Sequence, residues 1–210
     1  MGRPTALLLL LLLLASALPA CHALDDGLAL TPPMGWRSWN CYAGAVTDAD
    51  VRATVDAITD RSRGGVSLLD LGFSDVGVDD GWQACKTGRE VGGLSSFHDA
   101  SGAPLVNKSK FPDVKAMVAY GHSKNVTMGW YDNNCICMDG PAKAGDPSWA
   151  EKCFAGDAQF LIENDFDAVK IDNCAGGGAA FTARFDAIQA SGKKLMIENS
   201  NQGFGNPRQQ

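Results

Sequence analysis

FDAVKIDNCAGGG, residues Phe166 to Gly178, reads as a short apolar strand, Ala168 to Ile171, that ends in charge at Asp172. Side chains of a strand alternate between its faces, so Lys170 and Asp172 point the same way. Gly176, Gly177 and Gly178 follow without dinucleotide-fingerprint spacing or a P-loop lysine, so they read as loop. A buried strand that carries a lysine and an aspartate to its tip is the unit from which the rest of the chain can be read.

The same unit recurs. Ser74–Val78 ends at Asp79 and Asp80, Val126–Tyr131 ends at Asp132, and Lys194–Ile197 ends at Glu198. Helical patterns lie between them. TDADVRATVDAITD places Val51, Val55 and Ile58 at i, i+4 and i+7 behind Thr47 or Asp48 as N-cap. FPDVKAMVAYGHSK puts Val114, Met117, Val118 and Gly121 on one face. A third helix starts at Asp146-Pro147 and runs to about Glu163, and a fourth carries Phe181, Phe185 and Ile188. Pro33–Trp36 is the first apolar run, and Gly81 to about Lys110 reads as irregular. Strands alternating with helices mean βαβ units and a parallel sheet.

Two architectures satisfy that alternation, an open doubly wound sheet and a (β/α)₈ barrel. No G-x-G-x-x-G opens a helix after the first strand, which weighs against the dinucleotide-binding form. In a barrel all strand ends converge on one face, where the site lies. One acid at a strand end is as well explained by helix capping. Four strands ending so, interleaved with Trp36, Trp82, Trp130 and Tyr131, predict a polar pocket lined by acids and aromatic rings. Such a lining suits a sugar: ring C–H faces stack on indoles, and carboxylates accept from vicinal hydroxyls. A lysine ammonium beside Asp172 favours its ionised form, which serves either a nucleophile or a structural ion pair. A metal site fits less well: Asp79 and Asp80 are the only adjacent pair among these strand-end acids, and His98 and His122 are isolated.

The 210 residues carry a formal charge of −6, which argues against nucleic acid or anionic membrane as partner. Hydrophobic residues make up 45%, enough for a packed core. Arg3, the leucines Leu7 to Leu14 and the small residues before Leu24 describe a secretory signal peptide, residues 1–23, cleaved after Ala23. The apolar run is too short to span a bilayer, so no membrane association is expected after its removal. Six cysteines then remain, Cys41, Cys85, Cys135, Cys137, Cys153 and Cys174, an even number that points to disulfides in a secreted chain. Asn107 and Asn125 stand in N-glycosylation sequons. The expected location is the secretory pathway, ending outside the cell or in a lysosome or vacuole.

LDDGLALTPPMGWRSWN, VGVDDGWQAC, MGWYDNNC, AVKIDNC and MIEN occur in an order that resembles glycoside hydrolase family 27, the α-galactosidases (melibiases) and their α-N-acetylgalactosaminidase relatives. The likeness runs from Leu24 to about Gly203. It implies a (β/α)₈ catalytic domain working with retention and needing no metal or organic cofactor. By the resemblance, Asp172 is the nucleophile and Lys170 touches the sugar beside it. Asp79 and Asp80 would grip the galactose hydroxyls, and Trp36 and Tyr131 would line the pocket. Cys41–Cys85 would form one disulfide, and Cys174 another with Cys135 or Cys137. The family's acid/base aspartate follows a sixth strand, placing it beyond Gln210, so residues 24–210 correspond to the first five or so βα units. Alone, such units would expose sheet edges and be unstable or prone to aggregate. Ser200 stands where related sequences tend to carry a cysteine. That leaves α-N-acetylgalactosaminidase and β-L-arabinopyranosidase as other readings, and the missing acid/base strand adds a third, a sugar-binding remnant without catalysis.

Overall fold

The computed structural model describes residues 27–91, 94–133, 147–172 and 178–200. Five strands form one parallel sheet: β1 (Gly35–Arg37), β2 (Asp75–Gly77), β5 (Thr127–Asp132), β6 (Ala168–Asp172) and β7 (Met196–Ser200), in that spatial order. The remaining two strands, β3 (Glu90–Val91) and β4 (Leu94–Ser95), pair as an antiparallel hairpin. Each new strand of the parallel sheet is added on the same side as the last. A doubly wound sheet reverses direction at a switch point; this one does not. Right-handed crossovers in one continuing direction put every helix on the same face and leave the other for a barrel interior. The result is a curled half-barrel.

The helices are α1 (Trp39–Tyr42), α2 (Asp48–Thr59), α3 (Val114–Ser123), α4 (Pro147–Glu163) and α5 (Gly178–Ala190). Their starts follow from side chains. Thr47 caps α2 through a reciprocal box: Asp50 N donates to Thr47 Oγ1, and Thr47 N donates to Asp50 Oδ2 at 2.9 Å. Asp113 caps α3 by accepting from Ala116 N at 2.9 Å. Val51, Val55 and Ile58, and then Val114, Met117, Val118 and Gly121, are the buried stripes that the spacing predicts.

Sheet register separates the two faces. Gly121 of α3 abuts the Met128 thioether, where an added Cβ would stand 2.1 Å from the sulfur, so Met128 faces the helices. Trp130, two residues on and so on the same face, packs among Phe111, Phe160 and Phe166. Val76, Val169 and Ile171 are the buried outward residues of β2 and β6. The inward set is Gly35 and Arg37, Asp75 and Gly77, Gly129 and Tyr131, Lys170 and Asp172, then Glu198 and Ser200.

Several expectations are corrected by this packing. Trp82 and Trp130 do not line a polar pocket. They meet at 4.9 Å in the aromatic core between sheet and helices, because Trp130 alternates with Tyr131 along β5. Trp36 alternates with Gly35 and Arg37 and also faces outward, edge-on to Tyr42 at 6.1 Å and beside Ala53 and Ala57 of α2. It lines an apolar groove of about 450 Å³ there, not the barrel interior. The last strand runs Met196–Ser200 instead of Lys194–Ile197: Met196 N donates to Asp167 O, and Met196 pairs with Ala168, so the ladder starts two residues later. Glu198 therefore lies within the strand and Ser200 takes the tip. The stretch 81–110 holds the β3–β4 hairpin and bridges from Gln83 to Val106 and from His98 to Pro104. The disulfide Cys41–Cys85 is not formed. Cys41 on α1 is an exposed free thiol, and Cys85 is disulfide-bonded elsewhere; one sulfur makes one such bond. Cys135, Cys137 and Cys174, like the signal peptide, lie outside the described residues.

Candidate active site

The lower layer of the interior is ionic. Arg37 reaches across Gly77 and donates Nη1 and Nη2 to Asp75 Oδ1 and Oδ2 at 3.1 and 3.0 Å, and it also pairs with Glu198. The two glycines at this level make the room. A Cβ on Gly77 would stand 2.2 Å from Arg37 Nη1, and one on Gly129 would stand 3.2 Å from Nη2. Glu198 is thus a partner of Arg37 below the strand tips, not one of the acids at the rim.

The upper layer is the candidate site. Asp79 follows β2 and is buried. Its backbone N–H donates to Ser38 Oγ at 2.8 Å, its Oδ1 accepts from Asp80 N at 2.9 Å, and its Oδ2 accepts from Lys170 Nζ at 2.8 Å. The ammonium of Lys170 is therefore paired with Asp79, not with its strand neighbour Asp172. It also stands 5.2 Å from the centre of the Tyr131 ring, within cation–π range. Tyr131 donates its hydroxyl proton to Asp172 Oδ2 at 3.0 Å and accepts from Asn133 Nδ2 at 3.1 Å. From behind, Trp82 Nε1 donates to Tyr131 O at 2.8 Å, so a core indole fixes the tip of β5. Ser200 is the register partner of Asp172 and closes the row.

Charge in this layer is uneven. Asp80 Oδ1 accepts from Gly81 N at 2.7 Å, yet burial raises its carboxyl above the usual range. The nearby charges of Asp79 and Asp172 push the same way. Burial also raises the Tyr131 phenol, with Asp172 and Asp80 adding to the effect, so it stays a proton donor at every physiological pH. Asp132 falls in the outward-alternating set of β5 and does not join the cluster.

The structure thus brings together Asp79, Asp80, Tyr131, Lys170 and Asp172 of the expected residues, and turns Trp36 away. It adds Ser38, Asn133 and Arg37. The signal for Asn133 was present in the sequence: it stands two residues after Tyr131 and so on the same face. Of the sequons, Asn125 is exposed at the end of α3, and Asn107 is half-buried with its Oδ1 accepting from Ser109 N and Oγ.

No protein-family model matches the chain. Among curated proteins, an α-galactosidase of Saccharomyces pastorianus is 29% identical over 190 residues, covering 85% of this chain and 35% of that protein. α-Galactosidase 5 of Saccharomyces cerevisiae is 30% identical over the same length and coverage. A solved structure, the α-galactosidase of Saccharomyces cerevisiae with raffinose, superposes with a TM-score of 0.66 at 26% identity over 84% of this chain and 36% of that one. The chain is similar to α-galactosidases. It spans about a third of the length of the curated relatives it matches. The fold is that of their (β/α)₈ barrel, of which five strands lie among the described residues.

Proposed function

We propose that the chain is the N-terminal part of the catalytic domain of a retaining α-galactosidase, acting on terminal α-D-galactosyl residues. The observation that carries this reading is the Asp79–Lys170–Tyr131–Asp172 cluster on the inward rim of a barrel similar to those of α-galactosidases. Asp172 attacks the anomeric carbon, and the bond to the leaving oxygen breaks as a β-galactosyl ester forms. A second carboxyl, expected beyond Gln210, protonates that oxygen and then takes a proton from the water that hydrolyses the ester. Tyr131 donates to the Asp172 oxygen it touches and orients the carboxylate for in-line attack. Asp79 and Asp80 accept from sugar hydroxyls. Lys170 compensates Asp79, without which three acids would crowd one rim. Ser200 is the register partner of Asp172, and the contact to the sugar 2-position is not assigned to it. Residues 1–23 direct the protein into the secretory pathway, with glycans at Asn107 and Asn125.

The test is hydrolysis of p-nitrophenyl α-galactoside by the full-length protein, beside the α-N-acetylgalactosaminide and β-L-arabinopyranoside. Turnover should be greatest on the galactoside and lost in Asp172→Asn. Wild-type turnover in that variant would refute the nucleophile, and preference for either other glycoside would refute the substrate.

A further inference from the structure

Behind the strand tips lies a buried ionic cluster that the proposed reaction does not touch. His98 follows β4, Asp157 lies in α4 and Arg184 in α5, and all three are shut off from solvent. Asp157 Oδ1 stands 2.7 Å from His98 Nε2, and its Oδ2 accepts from Arg184 Nε at 3.1 Å. Ser96 Oγ lies 3.3 Å from His98 Nδ1 and accepts from His98 N at 2.9 Å. Burial by itself favours a neutral Asp157; the charges of His98 and Arg184 outweigh it and hold the carboxyl below its usual range. Such a network is poor value for stability alone, since apolar side chains of similar volume would serve as well.

Arg184 has a second use. Its Nη2 donates to Asn133 O at 2.5 Å. Asn133 is itself buried and directs Nδ2 to the Tyr131 hydroxyl oxygen. A phenol has one proton to give. Because Tyr131 accepts from Asn133, that proton goes to Asp172 Oδ2. We propose that Arg184, held by Asp157 and His98, is a positioning residue for the carboxylate of Asp172. It fixes the Asn133 backbone, Asn133 fixes the hydroxyl rotor of Tyr131, and Tyr131 holds Asp172 Oδ2. A guanidinium is needed because the fork serves a carboxylate and a carbonyl at once; a lysine ammonium, a point charge on a flexible stem, does not hold both in plane. The inference rests on the reading of Asp172 as nucleophile.

The experiment compares the full-length protein with Arg184→Lys, Tyr131→Phe and the double variant. The first readout is the slowly exchanging hydroxyl proton of Tyr131 in the NMR spectrum, assigned by its loss in Tyr131→Phe. It should be present in the wild type and lost to exchange in folded Arg184→Lys. The second is turnover. In Arg184→Lys, kcat should fall about tenfold, the scale of one misdirected hydrogen bond to a charged group. KM should stay within about twofold, as for an interaction that acts in the transition state. In the Tyr131→Phe background the same substitution should change kcat less than about twofold, because both act through one contact. A hydroxyl resonance absent from the wild type, or unchanged in Arg184→Lys, overturns the proposal, as do equal losses in the two backgrounds. If Arg184→Lys does not fold, Asn133→Ala replaces it with the same expected loss of the resonance and the same refuting result. The resonance is independent of turnover, so a wild type inactive on every glycoside would sink the proposed function while the positioning role is still decided.

Discussion

Replacing Gly77 by alanine tests whether the ionic layer inside the sheet is a fixed structure. The new Cβ would stand 2.2 Å from Arg37 Nη1, 2.5 Å from Cζ and 2.7 Å from Nε, so the guanidinium must leave its place. The backbone of β2 cannot yield instead, because it is laddered to β1 on one side and to β5 on the other. Leaving means losing the two-pronged pair with Asp75, whose side chain is 5% exposed. An abandoned buried carboxylate costs about 3 kcal/mol, the lower end for a broken buried pair since Arg37 itself can turn toward solvent. In the full-length protein, larger than this segment, that is a fall of several degrees in Tm, below the roughly 6–12 °C of a 150–250-residue chain. Gly129 supplies the control. Its added Cβ would approach the same guanidinium at 3.2–3.3 Å, a distance relieved by a few tenths of an ångström, so Gly129→Ala should cost much less. Thermal unfolding followed by far-ultraviolet circular dichroism reads both. A Gly77→Ala protein melting within about 2 °C of the parent, a shift below about 1 kcal/mol, or a Gly129→Ala protein melting lower than Gly77→Ala, would refute the reasoning.

Other consequences are simpler to read. Asp80→Asn should raise Tm at pH 7 by a few degrees: the folded carboxyl titrates above its unfolded value, so stability is lost as pH rises from the unfolded value through the folded one, and the loss is complete above it. That gain should vanish below about pH 3, where the acid is protonated in both states; a gain that persists there would be inconsistent with it. Thr47→Ala should lower stability by about 1 kcal/mol by opening the reciprocal cap of α2, and Thr47→Ser should restore most of it in denaturant titrations. Gly156→Ala should prevent soluble expression at 37 °C, because its Cβ would fall on Gly102 O; wild-type yield and melting would contradict the close approach of α4 to the 99–103 turn.

The sequence carried α2 to α5 and the five strands of the parallel sheet because those rest on local signals; it missed α1 and the β3–β4 hairpin. Thr47, Asp50 and the Val51–Val55–Ile58 stripe specify α2 without reference to any other element. What it did not carry was the facing of short strands. β1 and β2 have three residues each, too few for an alternation to show, so Trp36 read as readily inward as outward. Trp82 and Trp130 were misplaced for a related reason: an indole beside an acid at a strand tip looks like pocket lining until register shows Trp130 and Tyr131 on opposite faces. Glu198 was misread because its partner, Arg37, lies at the far end of the chain. The links from Asp157 to His98 and Arg184, and from Lys170 to Asp79, are likewise tertiary, and no spacing predicts them. The disulfide expected from resemblance failed because Cys41 is a free thiol while the sulfur of Cys85 is bonded elsewhere.

The pairing of Arg37 with both Asp75 and Glu198 also sets a timetable for synthesis. Arg37 and Asp75 belong to neighbouring strands and can meet as soon as β2 clears the ribosome. Glu198 follows Asp75 by roughly 6–25 s at translation rates of 5–20 residues per second. Throughout that interval the nascent sheet holds its first ion pair with one flank unguarded, and the arrival of β7 is what seals it. Chaperone dependence of this protein should therefore be greatest during translation of the segment between those two acids.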